Sequence, residues 1–134
     1  MGGVNFSNYL RLLYIRRTES KKCSTTGTGL PDNCCIFDGQ PVLPHGLASI
    51  IIARNVKIGK NVTICQHVTI VQSNPKKTTI IEDGVLIGAG AVIQNNPHIG
   101  KNVKIGCNSV VLNDVPDNCT VAGIPAKIIK NDGK

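Results

Sequence analysis

Isoleucine stands at positions 52, 58, 64 and 70 of this 134-residue chain and, after an interruption, at 81, 87, 93, 99 and 105, with Val111 continuing the count. A helix turns about 100° per residue, so a repeat of six would scatter these side chains around its circumference. Six is a multiple of the strand period of two, which keeps them on one side of an extended chain. Four residues after the markers comes a second slot, filled by Val56, Val62, Val68, Val85, Ala91, Pro97, Val103, Ser109 and Val115, and it points the same way. Three residues after the markers come Asn55, Asn61, His67, Gly84, Gly90, Asn96, Asn102, Asn108 and Asp114. Apart from His67 these are Asn, Gly or Asp, residues that tolerate positive φ, and His is enriched there as well. Each hexad is therefore a short strand followed by a corner. A chain that runs, turns and repeats must coil, each strand stacking on the one a full turn earlier at about 4.8 Å. The expectation is an all-β solenoid with ladders of isoleucine inside it.

The chain is short enough for one domain and long enough for one core. With four aromatic residues (Phe6, Tyr9, Tyr14, Phe37) and no Trp, that core must be built from Ile, Val and Leu. The net charge of +7 suits a phosphate-bearing ligand, an acidic surface or nucleic acid, and solubility alone also explains it. The basic residues have no aromatic interleaving for base stacking, so no nucleic-acid module is expected. No window approaches the roughly 20 apolar residues of a membrane span, and the N-terminus lacks a signal-peptide core. No membrane role and a cytoplasmic location follow as expectations. The six cysteines show no C-x-x-C spacing, and Cys34–Cys35 is a vicinal pair. They read as reduced thiols filling small spaces.

Outside the rhythm, "NFSNYLRLLYIRR" puts Phe6, Tyr9, Leu10, Leu13 and Tyr14 at helical spacing, with Ser7 or Asn8 available as a cap. A short amphipathic helix that packs on the coil or on another subunit is expected. Arg11, Arg16, Arg17, Lys21 and Lys22 nearby keep a membrane-surface helix open as the alternative. "STTGTGLP" reads as a link, which divides the chain into an N-terminal helix and linker at 1–29 and a coil at 30–130. The interruption "VQSNPKKTT" adds five residues to one hexad and must leave the coil as a loop. Such loops often carry function, and a plain solvated excursion explains it equally. At the far end, Pro116 and Pro125 in "VPDNCTVAGIPAKIIK" break the rhythm and are expected to close the coil.

These hexads, in two phased blocks from about Leu30 to Lys130, resemble the hexapeptide-repeat acyltransferases. The resemblance implies a left-handed parallel β-helix with three hexads per coil, although ordinary crossovers favour the right hand. The terminal "AGIPAK" is similar to the turn that lies along the coenzyme A site of that family, which implies Ala122, Gly123 and Lys127 as coenzyme contacts, with Lys130 beside them. Gly permits close backbone approach, and lysines suit phosphates. A plain C-terminal cap explains the same residues. "LIGAGAVI" resembles the segment along which the pantetheine arm passes, implying Gly88, Ala89 and Gly90, which the corners also require.

Acetyl transfer to a hydroxyl needs a base, and histidine suits neutral pH. His67 fills a corner slot and His98 closes a hexad with no partner suggested, so both read as surface residues. His45, in "VLPHGLASIII", stands where no repeat demands a histidine. That segment resembles the serine acetyltransferase family, which implies His45 as general base, acetyl-CoA as co-substrate and L-serine as acceptor. In that family a carboxylate about one coil earlier orients the base. "GLPDNCCIFDGQP" offers Asp32 and Asp38, of which Asp32 is nearer in spacing. The chain departs from the family in three places: the second histidine is replaced by "NPKKTT", the large helical domain is missing, and "NDGK" lacks the isoleucine that docks cysteine synthase.

A sugar or polysaccharide-precursor hydroxyl is the alternative acceptor, and the loop Val71 to Thr79 is where the difference would lie. A γ-type carbonic anhydrase would need closely spaced histidines. His45, His67 and His98 lie 22 and 31 residues apart, so no metal site is expected. A non-catalytic coil is the rival from another class. The resemblance further implies a homotrimer with coenzyme A held between adjacent coils.

Overall fold

The computed structural model describes residues 36–46 and 49–133. The expected N-terminal helix, the linker and Asp32 lie outside the described residues. Thirteen short strands follow one another: β1 (Ile36–Phe37), β2 (Ile51–Ile52), β3 (Val56–Ile58), β4 (Thr63–Ile64), β5 (Thr69–Ile70), β6 (Thr79–Ile81), β7 (Leu86–Ile87), β8 (Val92–Ile93), β9 (His98–Ile99), β10 (Lys104–Ile105), β11 (Val110–Val111), β12 (Cys119–Ala122) and β13 (Lys127–Asn131). They form three sheets, ordered β1-β3-β6-β9, β4-β7-β10-β12-β13 and β2-β5-β8-β11. All pairings are parallel except that of β12 with β13. The chain visits the first, second and third faces in turn, and this is the left-handed parallel β-helix of hexapeptide-repeat proteins.

The register shows why the repeat has six residues. Ile64 pairs with Ile87 and Ile87 with Ile105 on the second face, while Ile52, Ile70, Ile93 and Val111 form the matching ladder on the third. The markers from Ile58 to Ile105 are at most 1 % exposed. The second slots are buried beside them, Ser109 included, whose hydroxyl accepts from Gly123 N–H at 3.2 Å. At about 25 cal/mol per Å² these uninterrupted apolar ladders are the main stabilising feature. The extra five residues of the loop raise the rung spacing from 18 to 23 without shifting register, as Ile58↔Ile81 and Ile81↔Ile99 show.

The corners follow the expected residues at Asn55, Asn61, His67, Gly84, Gly90, Asn96, Asn102 and Asn108, all at positive φ. Asp114 departs from the rule and is absent from that set. The hexad after Val111 is short by two residues, so Val115 bridges to Ile99 and takes a marker place where a second slot was expected. The left-handed corner then falls at Asn118 (φ 56°). The coil also outlasts Pro116: β12 still stacks on β10, and closure comes after Gly123, where β13 returns antiparallel along β12. At the other end, β1 and the Val42–Thr63 bridge extend the coil back beyond the regular sequence rhythm.

Candidate functional site

Turns between the second and third faces fall in register on one edge, because each coil returns its chain to the same height plus one rung. Climbing this edge, the corners are Pro44–Gly46, Cys65–His67, Gly88–Gly90, Gly106–Asn108 and the turn at Gly123. Backbone bonds tie the upper four together: Gly90 N–H donates to Gln66 O at 3.0 Å, Asn108 N–H to Ala89 O at 2.9 Å and Val110 N–H to Gly123 O at 3.0 Å. The edge therefore collects His45, Gly88, Ala89, Gly90 and Gly123, residues spread over much of the sequence. At about 4.8 Å per rung, His45 sits about 10 Å below Gly88–Gly90 and about 19 Å below Gly123.

His45 lies in a turn closed by Gly46 N–H donating to Leu43 O at 3.1 Å, with Gly46 at φ 70°. Its imidazole is exposed and makes no hydrogen bond or ion pair with the described residues. Gly88 and Gly90 are needed by the coil itself. A Cβ on Gly88 would stand 2.7 Å from both Cys107 N and Ile105 O, and one on Gly90 (φ 72°) would collide with the Asn108 side-chain oxygen. Their small size also leaves the edge open to an approaching chain, so both explanations hold at these positions.

At the upper end, Ala122 and Lys127 are strand partners and Gly123 turns the chain at φ 100°. Three of the expected coenzyme contacts thus meet within one turn, and Lys127 is exposed. Lys130, farther along β13, has its ammonium 2.8 Å from Asp132 Oδ1. The hydrogen bond from Lys130 holds the Asp132 carboxyl below its ordinary value, with Lys130 and Lys104 adding charge attraction. Exposed backbone at a glycine turn with cations beside it suits a phosphate-bearing, amide-containing chain, so the residues present fit coenzyme A.

Sequence reasoning missed Gln66. This residue occupies the corner directly above that of His45, and its Oε1 is buried with no hydrogen-bond partner. Gln40 Oε1, on a different edge of the first coil, shares that condition. A buried acceptor without a donor costs about 1–3 kcal/mol. The one available signal was a long polar side chain at a corner position where the coils above carry Ala89 and Cys107.

The edge between the third and first faces carries the 71–79 loop and a cleft of about 600 Å³ lined by residues that include Lys77, Asn95, Asn96, His98 and Asp114. Several polar groups along this edge are engaged with one another. Asn55 Nδ2 donates to Pro75 O at 2.8 Å, Asn74 N–H to Asn96 Oδ1 at 2.8 Å and Asn95 N–H to Ser73 Oγ at 3.0 Å. His98, for which the sequence suggested no partner, bonds through Nε2 to Glu82 Oε1 at 2.9 Å, and its backbone N–H donates to Asp114 Oδ1 at 2.8 Å. Histidines 45 and 67 share an edge, whereas His98 lies on the first face, so the three do not converge as zinc ligands. The described cysteines are free: Cys119 fills core space and Cys65 is half-buried, but Cys107 is exposed, contrary to the space-filling expectation.

Comparison with known proteins agrees with this geometry. The family described as bacterial transferase hexapeptide (six repeats) matches residues 78–113. A serine acetyltransferase of Staphylococcus xylosus is 46% identical over 95 residues, which is 69% of this chain and 44% of that protein. Among solved structures, the Brucella abortus serine acetyltransferase in complex with coenzyme A superposes with a TM-score of 0.68 at 38% identity, covering 75% of this chain and 41% of that one. Soybean serine acetyltransferase complexed with serine gives a TM-score of 0.65 at 37% identity, covering 72% and 40%. The chain spans between 20% and 44% of the curated relatives it matches most strongly. In repeat and register the coil is a β-helix of the hexapeptide-repeat type, and along it the chain is similar to serine acetyltransferases.

Proposed function

We propose that the protein is an acetyl-CoA-dependent O-acetyltransferase whose acceptor is L-serine. The observation that carries this reading is the single edge that collects His45, Gly88–Gly90 and Gly123, with Ala122 and Lys127 at its upper end, in a chain similar to serine acetyltransferases solved with coenzyme A and with serine. The coenzyme would lie along the edge, its pantetheine arm against Gly88, Ala89 and Gly90 and its phosphates toward Lys127 and Lys130, so that its acetyl end approaches His45. The coenzyme supplies an acetyl thioester. His45 takes the proton of the acceptor hydroxyl, the oxygen forms the new ester bond as the carbon–sulfur bond breaks, and His45 returns the proton to the departing thiolate. No acetyl-enzyme is needed. Asp32 is the proposed carboxylate behind the base.

The reading includes a homotrimer with the coenzyme between adjacent coils, since a narrow prism leaves outward residues such as Ile51 and Leu86 substantially exposed. It also includes a cytoplasmic location, which the free thiols of Cys65, Cys107 and Cys119 suit. Residues 1–29 are proposed as a separate helix and linker. The test is incubation with acetyl-CoA and L-serine followed by mass detection of O-acetylserine, with His45→Ala as control. Product from the wild type alone supports the reading. Bound acetyl-CoA without product overturns serine as acceptor, and failure to bind acetyl-CoA overturns the enzyme.

A further inference from the structure

We propose that His67 is a specificity-determining residue of this edge: a ring N–H of its imidazole donates a hydrogen bond to the carboxylate of the amino-acid acceptor while the acceptor hydroxyl lies at His45. The inference deepens the acetyltransferase reading and rests on it. It starts from a residue that the coil alone does not call for. The other hexad corners at positive φ are Asn55, Asn61, Gly84, Gly90, Asn96, Asn102 and Asn108, all of the two residue types that take this conformation most readily. His67 holds the same conformation, at φ 59°, with a bulkier ring. That ring is exposed and has no hydrogen-bond or ion-pair partner among the described residues.

Register sets this ring beside the base. Val42 bridges to Thr63, and four residues on, Gly46 and His67 take the same corner position on successive coils. His45 is then one rung below His67 and one residue back, a diagonal of about 6 Å between Cα atoms. The space between them is open. At Gly84 and Gly90, the side-chain oxygen of the asparagine one coil above, Asn102 or Asn108, folds down onto the place a Cβ would take. His67 stands above Gly46 as those asparagines stand above their glycines, yet, chain neighbours apart, nothing among the described residues lies within 4 Å of a Cβ at Gly46. A small molecule can reach this notch with His45 beside it and His67 over it. L-serine carries its carboxylate and its hydroxyl on adjacent carbons, a spacing that fits between two imidazoles so placed. In the corners Pro44–Gly46, Cys65–His67 and Gly88–Gly90 the side chains able to donate are His45, Cys65, Gln66 and His67. With His45 committed to the hydroxyl, His67 is the one of these that can add a positive charge. Lys127 stands at the far upper end of the edge, beside Ala122. The competing cation is Lys77 on the loop edge, exposed and without an ion pair among the described residues, if a neighbouring copy brings that edge to this one.

The experiment measures acetylation of L-serine and of L-serinamide, which has no carboxylate, by the full chain in wild type, His67→Asn, His67→Gly and Lys77→Ala. Asn and Gly are what the other corners carry, so neither substitution at 67 threatens the coil. In both His67 variants the preference for serine over its amide should fall about ten- to hundredfold, the size of one hydrogen bond to a charged group. The change should appear in KM for serine, with KM for acetyl-CoA unmoved. Equal losses on serine and serinamide overturn the proposal, as does a preference that survives His67→Asn or that falls in Lys77→Ala alone. Should the wild type acetylate neither acceptor, the functional reading fails, and calorimetric titration of L-serine into protein loaded with acetyl-CoA decides the rest. Weaker binding in His67→Asn than in the wild type upholds the contact, whereas equal or absent binding overturns it.

Discussion

Two edges of the same prism are built from the same hexads and differ in what their polar groups do. Along the edge of the 71–79 loop, asparagines brace the loop from the coils on either side, and His98 is held between Glu82 and Asp114. Along the His45 edge, corners are short and small, and among the described residues they leave an imidazole without a partner and an amide oxygen buried without a donor. A cleft of about 600 Å³ lies on the loop edge. That cleft would point to the edge where several polar groups are already bonded within the chain. The unsatisfied groups point to the other, and that is where the expected coenzyme contacts fall.

The contrast can be broken by substitution on each edge. The largest expected effect is His45→Ala, with kcat for O-acetylserine formation falling about 10²–10⁴-fold and the melting temperature barely moved, since the side chain is exposed and unbonded. Gly88→Ala comes next. Its Cβ meets backbone that cannot move without parting two coils, so a loss of about 1–3 kcal/mol is expected in urea unfolding, together with weakened coenzyme binding. On the loop edge, Asn96→Ala removes a residue at φ 53° and its bonds to the loop. It should cost about 1–2 kcal/mol and leave kcat within a few-fold of wild type. His98→Ala, the loss of a solvent-exposed pair, should cost less than about 1 kcal/mol and nothing in rate. A large rate loss there would reverse the assignment of the two edges.

The smallest effect sharpens the upper end of the His45 edge. Because Lys130 lowers the Asp132 carboxyl, any stability from this exposed pair is present above the ordinary carboxylate value and fades as pH falls through the lowered one. Asp132→Asn should leave unfolding near neutral pH unchanged while tightening coenzyme A slightly in titration calorimetry, since Lys130 is released.

Much of this was readable from residues alone because the repeat is local. The markers, all but one of the second slots and all but one of the corner positions need no long-range information: spacing and φ tolerance suffice. Asp114 and Val115 show where that logic stops. A deletion of two residues after Val111 leaves Val115 apolar and Asp114 turn-compatible, so the sequence keeps its look while the phase moves on. Pairs across coils were out of reach for a related reason. His98 and Glu82 are 16 residues apart, a diagonal step that depends on register and on side-chain direction. The placement of Gln66 above His45 required the Val42–Thr63 bridge, which lies where the hexad rhythm is not yet regular. The edge shared by the expected coenzyme residues was implicit in a period of 18, and the five-residue loop hides that period from simple counting.

The antiparallel return of β13 has a consequence for the chain as a material. A parallel β-helix is an open stack: its last coil presents the same hydrogen-bonding edge that received it, and so could receive another chain. By lying across β12 in the opposite direction, with a register slip between Thr120 and Val121 and lysines at 127 and 130, β13 replaces that template with one that a further parallel rung does not match. On that face it works against further growth, and a protein with this strand unzipped should associate end to end more readily.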